Sequence, residues 1–227
     1  MRKPRKVTEK VYQIGGPDIS HSQDCMIFLV DVGSEESVLI DCGAGNSFNI
    51  LLQNIKAVGL EPSKIKALIL THCHIDHIGV ASFFKEQFNC QIIAHEKDKE
   101  AIEGRDMSKT AAHWYGVNYI PVKIDNILLD DFQKLSIGHL EFNCIHTPGH
   151  TPGSISIYCD IEGTRVLFGQ DIHGPFDESF ESNKEDWKES MKKLLDLEAD
   201  ILCEGHFGVY KTKEEVRRYI EGYLRRY

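Results

Sequence analysis

The chain changes character abruptly at residue 71. Ala67-Leu-Ile-Leu-Thr71 is a compact apolar run of the kind that forms a strand buried on both faces. It leads directly into His72-Cys-His74-Ile-Asp76-His77, which sets three imidazoles and a carboxylate within six residues. Neutral imidazole nitrogen and carboxylate oxygen suit zinc and related transition metals. In extended backbone, alternate residues share a side, so His72 and His74 can grip one ion. If the chain turns after Ile75, Asp76 and His77 swing toward a neighbouring position. Donors that change direction midway fit two adjacent ions more simply than one. A single histidine at a strand end is usually a hydrogen-bonding residue, but four donors this close together are hard to read that way. Even so, this segment alone cannot close two coordination shells, so the fold must bring further donors to it.

Three distant stretches can supply them. His146-Thr-Pro-Gly-His150-Thr-Pro-Gly-Ser154 places a histidine in a tight turn whose Gly and Pro residues fix the loop. Phe168-Gly-Gln-Asp171 ends a strand-like run on a carboxylate, and Cys203-Glu-Gly-His206-Phe-Gly208 places a histidine beyond another. A sheet scaffold gathers such strand ends along one edge. The rest of the pattern predicts that scaffold. Strands are expected at 11–14, 26–32, 37–41 and 67–71, with a Ser47-capped helix carrying Phe48, Leu51, Leu52, Ile55 and Val58, then Gly59. A helix bearing Val80, Phe83 and Phe84 and a strand at 91–94 continue the alternation. Residues 97–125 are irregular. Strand-like runs resume at 126–129, 139–145, 154–159, 165–168 and 199–203. Amphipathic helices follow Asn183 and Thr212. Strand-rich halves with helices predict two sheets sandwiched between helices, in a single domain spanning 1–227.

Composition narrows the function classes. The 227 residues carry 26 Lys plus Arg against 35 Asp plus Glu, a formal charge of −9. That balance argues against nucleic acid or an anionic membrane as partner, although bound cations make one local region positive. No apolar stretch is long enough to span a bilayer. The basic start, Met1 to Lys6, runs into Val7-Thr-Glu-Lys where a signal peptide needs an apolar core, so a cytoplasmic location is expected. Seven cysteines without a CxxC pair fit reduced thiols better than a disulfide framework.

The spaced motifs together resemble the metallo-β-lactamase superfamily. HxHxDH at 72–77, GHTPGS at 149–154, Asp171, Gly205-His206 and the earlier Asp41-Cys-Gly43 stand in the family's order from about residue 25 to 208. The resemblance implies an α/β (α+β) fold, a four-layer αββα sandwich of two mixed sheets flanked by helices, with its site along one sheet edge. It implies His72, His74 and His150 as ligands of a first metal, Asp76, His77 and His206 as ligands of a second, and Asp171 as the bridge. Asp41 resembles a residue that supports the site by hydrogen bonding; a simple turn residue before Gly43 is the other reading of it.

The implied cofactors are two divalent ions, zinc by family habit, with iron or manganese accepted by the same donors. His74 stands where diiron electron-transfer relatives carry a carboxylate. Asp171 stands where β-lactam-hydrolysing members usually show cysteine, so antibiotic hydrolysis is not expected. The expected reaction is cleavage of a small ester, lactone, thioester or phosphoester by a hydroxide shared between the metals, oriented by Asp76 or Asp171. The alternatives are a mononuclear-iron sulfur dioxygenase, a glyoxalase II-like thioesterase, and a non-catalytic protein that keeps the fold. The short stretch after His206 leaves no room for the helical C-terminal domain that glyoxalase II-type enzymes use. The partner is expected to be a small-molecule substrate. Its candidate contacts come from the irregular segments: His21 in an early loop, Tyr115 with its neighbours His113, Trp114 and Tyr119, and His173 with Phe176.

Overall fold

The computed structural model describes residues 2–227. Its first sheet runs in chain order: β1 (Arg5–Lys6), β2 (Val11–Gln13), β3 (Phe28–Gly33), β4 (Glu36–Ile40), β5 (Ile65–Ile69), β6 (Gln91–His95) and β7 (Asn126–Leu128). Pairing is antiparallel from β1 to β4 and parallel from β4 to β7. Parallel neighbours need crossovers. These pass through α1 (Phe48–Ala57), then α2 (Ile75–Ile78) with α3 (Ala81–Phe88), then α4 (Lys99–Ile102) with α5 (Ala112–Tyr115). The second sheet holds β8 (Phe132–Ile137), β9 (Leu140–His146), β10 (Ile155–Ile161), β11 (Thr164–Gln170), β12 (Ile201–Glu204) and β13 (Val209–Tyr210), in the order β13-β12-β11-β10-β9-β8. Only β11 and β12 pair in parallel, through the crossover helix α6 (Lys184–Asp196). The helix α7 (Lys213–Arg226) ends the chain.

Strand periodicity sorts the side chains into layers. Val38 and Ile40 of β4 and Ala67 and Ile69 of β5 face the second sheet, meeting Phe142, Ile157, Val166 and Phe168. Leu39 and Leu68 point the other way, onto Leu51 and Ile55 of α1 and Phe84 of α3. On the far face of the second sheet, Leu167 and Leu202 pack with Trp187, Met191, Val216 and Ile220 of α6 and α7. The result is helices, sheet, sheet, helices: the αββα sandwich expected. The expected helices at 48–58 and after 80, 183 and 212 are present, as are the main strands.

Three short or exposed strands, β1, β8 and β13, lay outside the sequence reading. In β8 only Leu135 is buried, so no apolar run announces it. The expected cap at Ser47 is also different. Its hydroxyl donates to buried Asp24 and makes no bond to its own helix. Asn183 and Thr212 do cap α6 and α7. All seven cysteines are buried and free. Among the described residues, no helix is long and apolar enough to cross a membrane.

Candidate metal centre

Parallel neighbours end at the same edge, and this places the functional side chains. β4 and β5 deliver Asp41 and the 71–77 segment side by side, and β11 and β12 deliver Asp171 and His206. The turn between β9 and β10 adds His150. All seven sequence-predicted donors therefore meet at one edge, and all but the partly exposed His206 are buried.

The first group is His72, His74 and His150, whose donor atoms lie within 4.8 Å of one another. His74 Nδ1 sits 3.2 Å from His72 Nε2 and 2.8 Å from His150 Nε2. The remaining ring nitrogens show how these atoms are freed. His150 Nδ1 donates to the carbonyl of Pro175 at 2.8 Å. The Thr71 hydroxyl donates to Asp41 Oδ2, so at 3.1 Å it accepts from His72 Nδ1. Each bond fixes the tautomer and leaves Nε2 as a lone pair aimed inward. His74 instead turns Nδ1 inward, with its ring edge-on to Phe180 at 4.7 Å.

The second group is Asp76, His77 and His206. His206 Nε2 lies 3.2 Å from Asp76 Oδ2 and 3.3 Å from Asp171 Oδ2, and His77 Nε2 lies 3.2 Å from Asp171 Oδ1. Asp171 Oδ2 is also 3.4 Å from His150 Nε2, so this carboxylate touches both groups. Asp41 accepts three bonds: Thr71 N and Oγ1 at 2.8 Å and His77 Nδ1 at 2.7 Å. It thereby braces Thr71 and His77 by hydrogen bonding, the place the resemblance gives it. It does so at φ +59°, a left-handed conformation costly for a residue with a side chain, and such strain gathers at functional sites.

Charge distinguishes the groups. Burial, with neighbouring imidazoles, drives His72 well below its ordinary pKa, and burial is also the main cause that lowers His150 and takes His74 down to about 3. His206 behaves oppositely: burial lowers it, but Asp171 and then Asp76 outweigh this and raise it to about 10. His77 is likewise raised well above its usual value against burial, by Cys25 and then by the carboxylates of Asp171, Asp41 and Asp76. Two buried carboxylates demand positive charge nearby. His77 Nε2 and Asp171 Oδ1, 3.2 Å apart, are buried without making a hydrogen bond of proper geometry. Buried imidazole nitrogens and carboxylate oxygens crowded together in this way are what a cation would satisfy, so these residues fit a metal centre.

Two buried acids that the sequence reading missed hold the centre together. Asp98, at the end of the loop after β6, accepts from Cys73 N at 2.8 Å, Thr151 Oγ1 at 2.7 Å and Gly153 N at 2.7 Å. It thereby ties the 72–77 segment to the turn carrying His150. Glu204 accepts from His206 N at 2.6 Å and Phe207 N at 2.7 Å, and pairs with His173 Nδ1 at 2.8 Å. Asp98 lies outside the donor-rich motifs, and Glu204 lies within the Cys203–His206 stretch without a spacing that marks its role, so only the side-chain partners reveal them. Gly205 between Glu204 and His206 admits no side chain, because a Cβ there would collide with Asp171 Oδ1.

The centre floors a cavity of about 420 Å³ walled by Trp114, Tyr115, Phe180 and Phe207. Tyr115 and His173 line it. Burial, then the charge of Asp76, pushes the Tyr115 phenol up. His21 lines neither this cavity nor the groove beside it; its Nδ1 accepts from Gln23 N at 3.3 Å, which makes it a turn residue. Tyr119 also belongs elsewhere, in the core with its hydroxyl donated to Ile102 O, and Phe176 packs on Trp187.

Comparison with known proteins agrees with this geometry. The family model described as the metallo-beta-lactamase superfamily matches residues 23–206. A probable metallo-hydrolase of Methanocaldococcus jannaschii is 35% identical over 123 residues, a stretch spanning 54% of this chain and 57% of that protein. Hydroxyacylglutathione hydrolase GloC of Haemophilus influenzae is 28% identical over 216 residues, 89% of this chain and 93% of its own. A mutant metallo-beta-lactamase from Cronobacter sakazakii is similar in fold, with a TM-score of 0.84 at 21% identity, covering 100% of this chain and 95% of that one.

Proposed function

Because the chain belongs to the metallo-beta-lactamase superfamily, we propose that it is a hydrolase of a small ester, thioester or lactone, working with two divalent ions. The observation that carries this is the sharing of Asp171 between two donor groups. His72, His74 and His150 would hold one ion, Asp76, His77 and His206 the other, and Asp171 both. The donor set accepts zinc, iron or manganese, and zinc is our assignment from the family's habit. Bound there, such ions polarise a carbonyl oxygen and bring the pKa of water down to about 7.

The chain's own residues do the rest. Asp41, Thr71 and the Pro175 carbonyl keep His77, His72 and His150 in the tautomers that expose Nε2. Asp76 and Asp171 each offer carboxylate oxygens that accept a hydrogen bond from an incoming water and orient its lone pair toward the substrate carbon. His173, its Nδ1 proton fixed on Glu204, lines the cavity and leaves its other nitrogen to serve as a hydrogen-bond partner for the substrate. Trp114, Tyr115, Phe180 and Phe207 give the reacting group an aromatic surround.

A thioester substrate is favoured by one observation: GloC, named for hydroxyacylglutathione, aligns over 93% of its own length. The test is turnover of aryl ester, thioester and lactone panels before chelation, after it, and after zinc is restored, alongside elemental analysis. Chelation that abolishes turnover and zinc that restores it at about two ions per chain supports the proposal. Turnover indifferent to chelation refutes it.

A further inference from the structure

We infer that the site selects substrates whose non-reacting part is uncharged and aromatic or branched-apolar. This rests on the hydrolase reading and narrows it. Above the donor groups, the cavity is bounded by four aromatic side chains. Trp114 meets Phe180 edge-on at 4.8 Å, and Phe207 meets His173 edge-on at 4.6 Å, so the lining carries two aromatic pairs. Trp114 and Phe207 remain 55% and 58% exposed. Single exposed apolar residues are ordinary, but two large rings flanking one cavity mouth form a patch that an apolar ligand would cover.

Charge points the same way. Among the described residues, no Lys or Arg lines the cavity. Lys109, on the turn leading into this wall, is paired with Glu181 at 2.9 Å. The adjoining groove, lined by Ser22, Gln23 and Asp24 and sharing Trp114, Tyr115 and His206, adds no Lys or Arg. An anionic tail reaching beyond the metal centre would find no Lys or Arg to pair with and would lose its hydration against aromatic walls. A substrate carrying extra carboxylates, such as a glutathione thioester, is therefore poorly matched.

The test uses zinc-reconstituted protein and S-phenylacetyl, S-acetyl and S-succinyl thioesters of one uncharged thiol, N-acetylcysteamine, with a hydroxyacylglutathione in parallel. In each hydrolysis the water oxygen bonds to the acyl carbon and the carbon–sulfur bond breaks. The sulfur leaves with the bonding electrons and takes one water proton to become the thiol, and the acid keeps the other. The phenylacetyl substrate is expected to exceed the succinyl one in kcat/KM by about tenfold or more. Trp114→Ala and Phe207→Ala should each shrink the phenylacetyl-to-acetyl ratio by about tenfold. Preference for the succinyl or glutathione substrate overturns the inference, as does a ratio unmoved in both variants; the hydrolase reading survives either result. If none of these thioesters is cleaved, thioesters drop out of the hydrolase reading, which the ester and lactone panel then decides. Binding then decides the inference, through Trp114 fluorescence in a Trp187→Phe background titrated with phenylacetate and succinate. Tighter phenylacetate supports it, and equal or tighter succinate overturns it.

Discussion

The three-imidazole pocket and the carboxylate pocket share Asp171, yet they reach readiness for a cation by different routes. His72, His74 and His150 are kept neutral chiefly by burial, so in metal-free protein near neutral pH their lone pairs are free. His77 and His206 sit against Asp76 and Asp171, which hold protons on them. A metal entering the first pocket meets lone pairs; one entering the second must displace protons. The difference teaches that the two sites, though adjacent, obey different pH laws.

Asp171→Ala should erase the distinction altogether, because it strips the group common to both pockets. Turnover is expected to fall by at least about a thousandfold, with metal content below one ion per chain by elemental analysis. Asp98→Ala should weigh on the imidazole pocket, since it leaves Cys73 N, Gly153 N and Thr151 Oγ1 without their buried acceptor. A loss on the order of 3 kcal/mol in urea unfolding is expected; an unchanged midpoint would deny Asp98 its tying role. Asp41→Ala should act on the other pocket, weakening the metal at His77 by about 10–100-fold in chelator competition, with the imidazole-pocket ion less affected.

The pH profile gives the gentlest test. His206 is raised to about 10 in the metal-free chain, so displacing its proton should strengthen uptake at its pocket by up to about tenfold per pH unit, levelling near that value, with His77 adding to the slope. The same protonated His206 contributes stability to metal-free protein that is present below its ordinary pKa of about 6.5 and lost as pH rises through about 10. His74 has the opposite sign: its lowered value of about 3 contributes stability that is complete above about 6.5 and lost as pH falls toward 3. Metal affinity of both pockets with the same pH slope would break the comparison.

How much of this the sequence disclosed depended on whether a local pattern carried the information. The 72–77 segment was legible because its donors are contiguous and follow an apolar strand. His150, Asp171 and His206 were legible because glycine and proline or a strand end mark each one. Asp41 was half-legible, as a carboxylate before glycine that could equally be a turn. Asp98 and Glu204 were silent, since their roles consist of bonds to Cys73, Thr151 and Gly153, or to His206 and His173, brought near only by folding. His21 failed for a related reason. A loop histidine near the site in sequence is drawn instead into a local bond with Gln23. β8 escaped because an exposed edge strand has little apolar periodicity to show.

Glu204 has one more consequence. It clamps the amides of His206 and Phe207 and the ring of His173 onto one carboxylate, so a metal donor and one cavity wall cannot move independently. The opposite wall, at Trp114 and Tyr115, carries no proposed donor, and Gln23 reaches it at the Tyr115 carbonyl. Selection for new substrates in the laboratory should therefore accumulate changes at 111–115 while the 204–207 stretch stays fixed: one bank of the cavity is free to drift, and the other is moored to the chemistry.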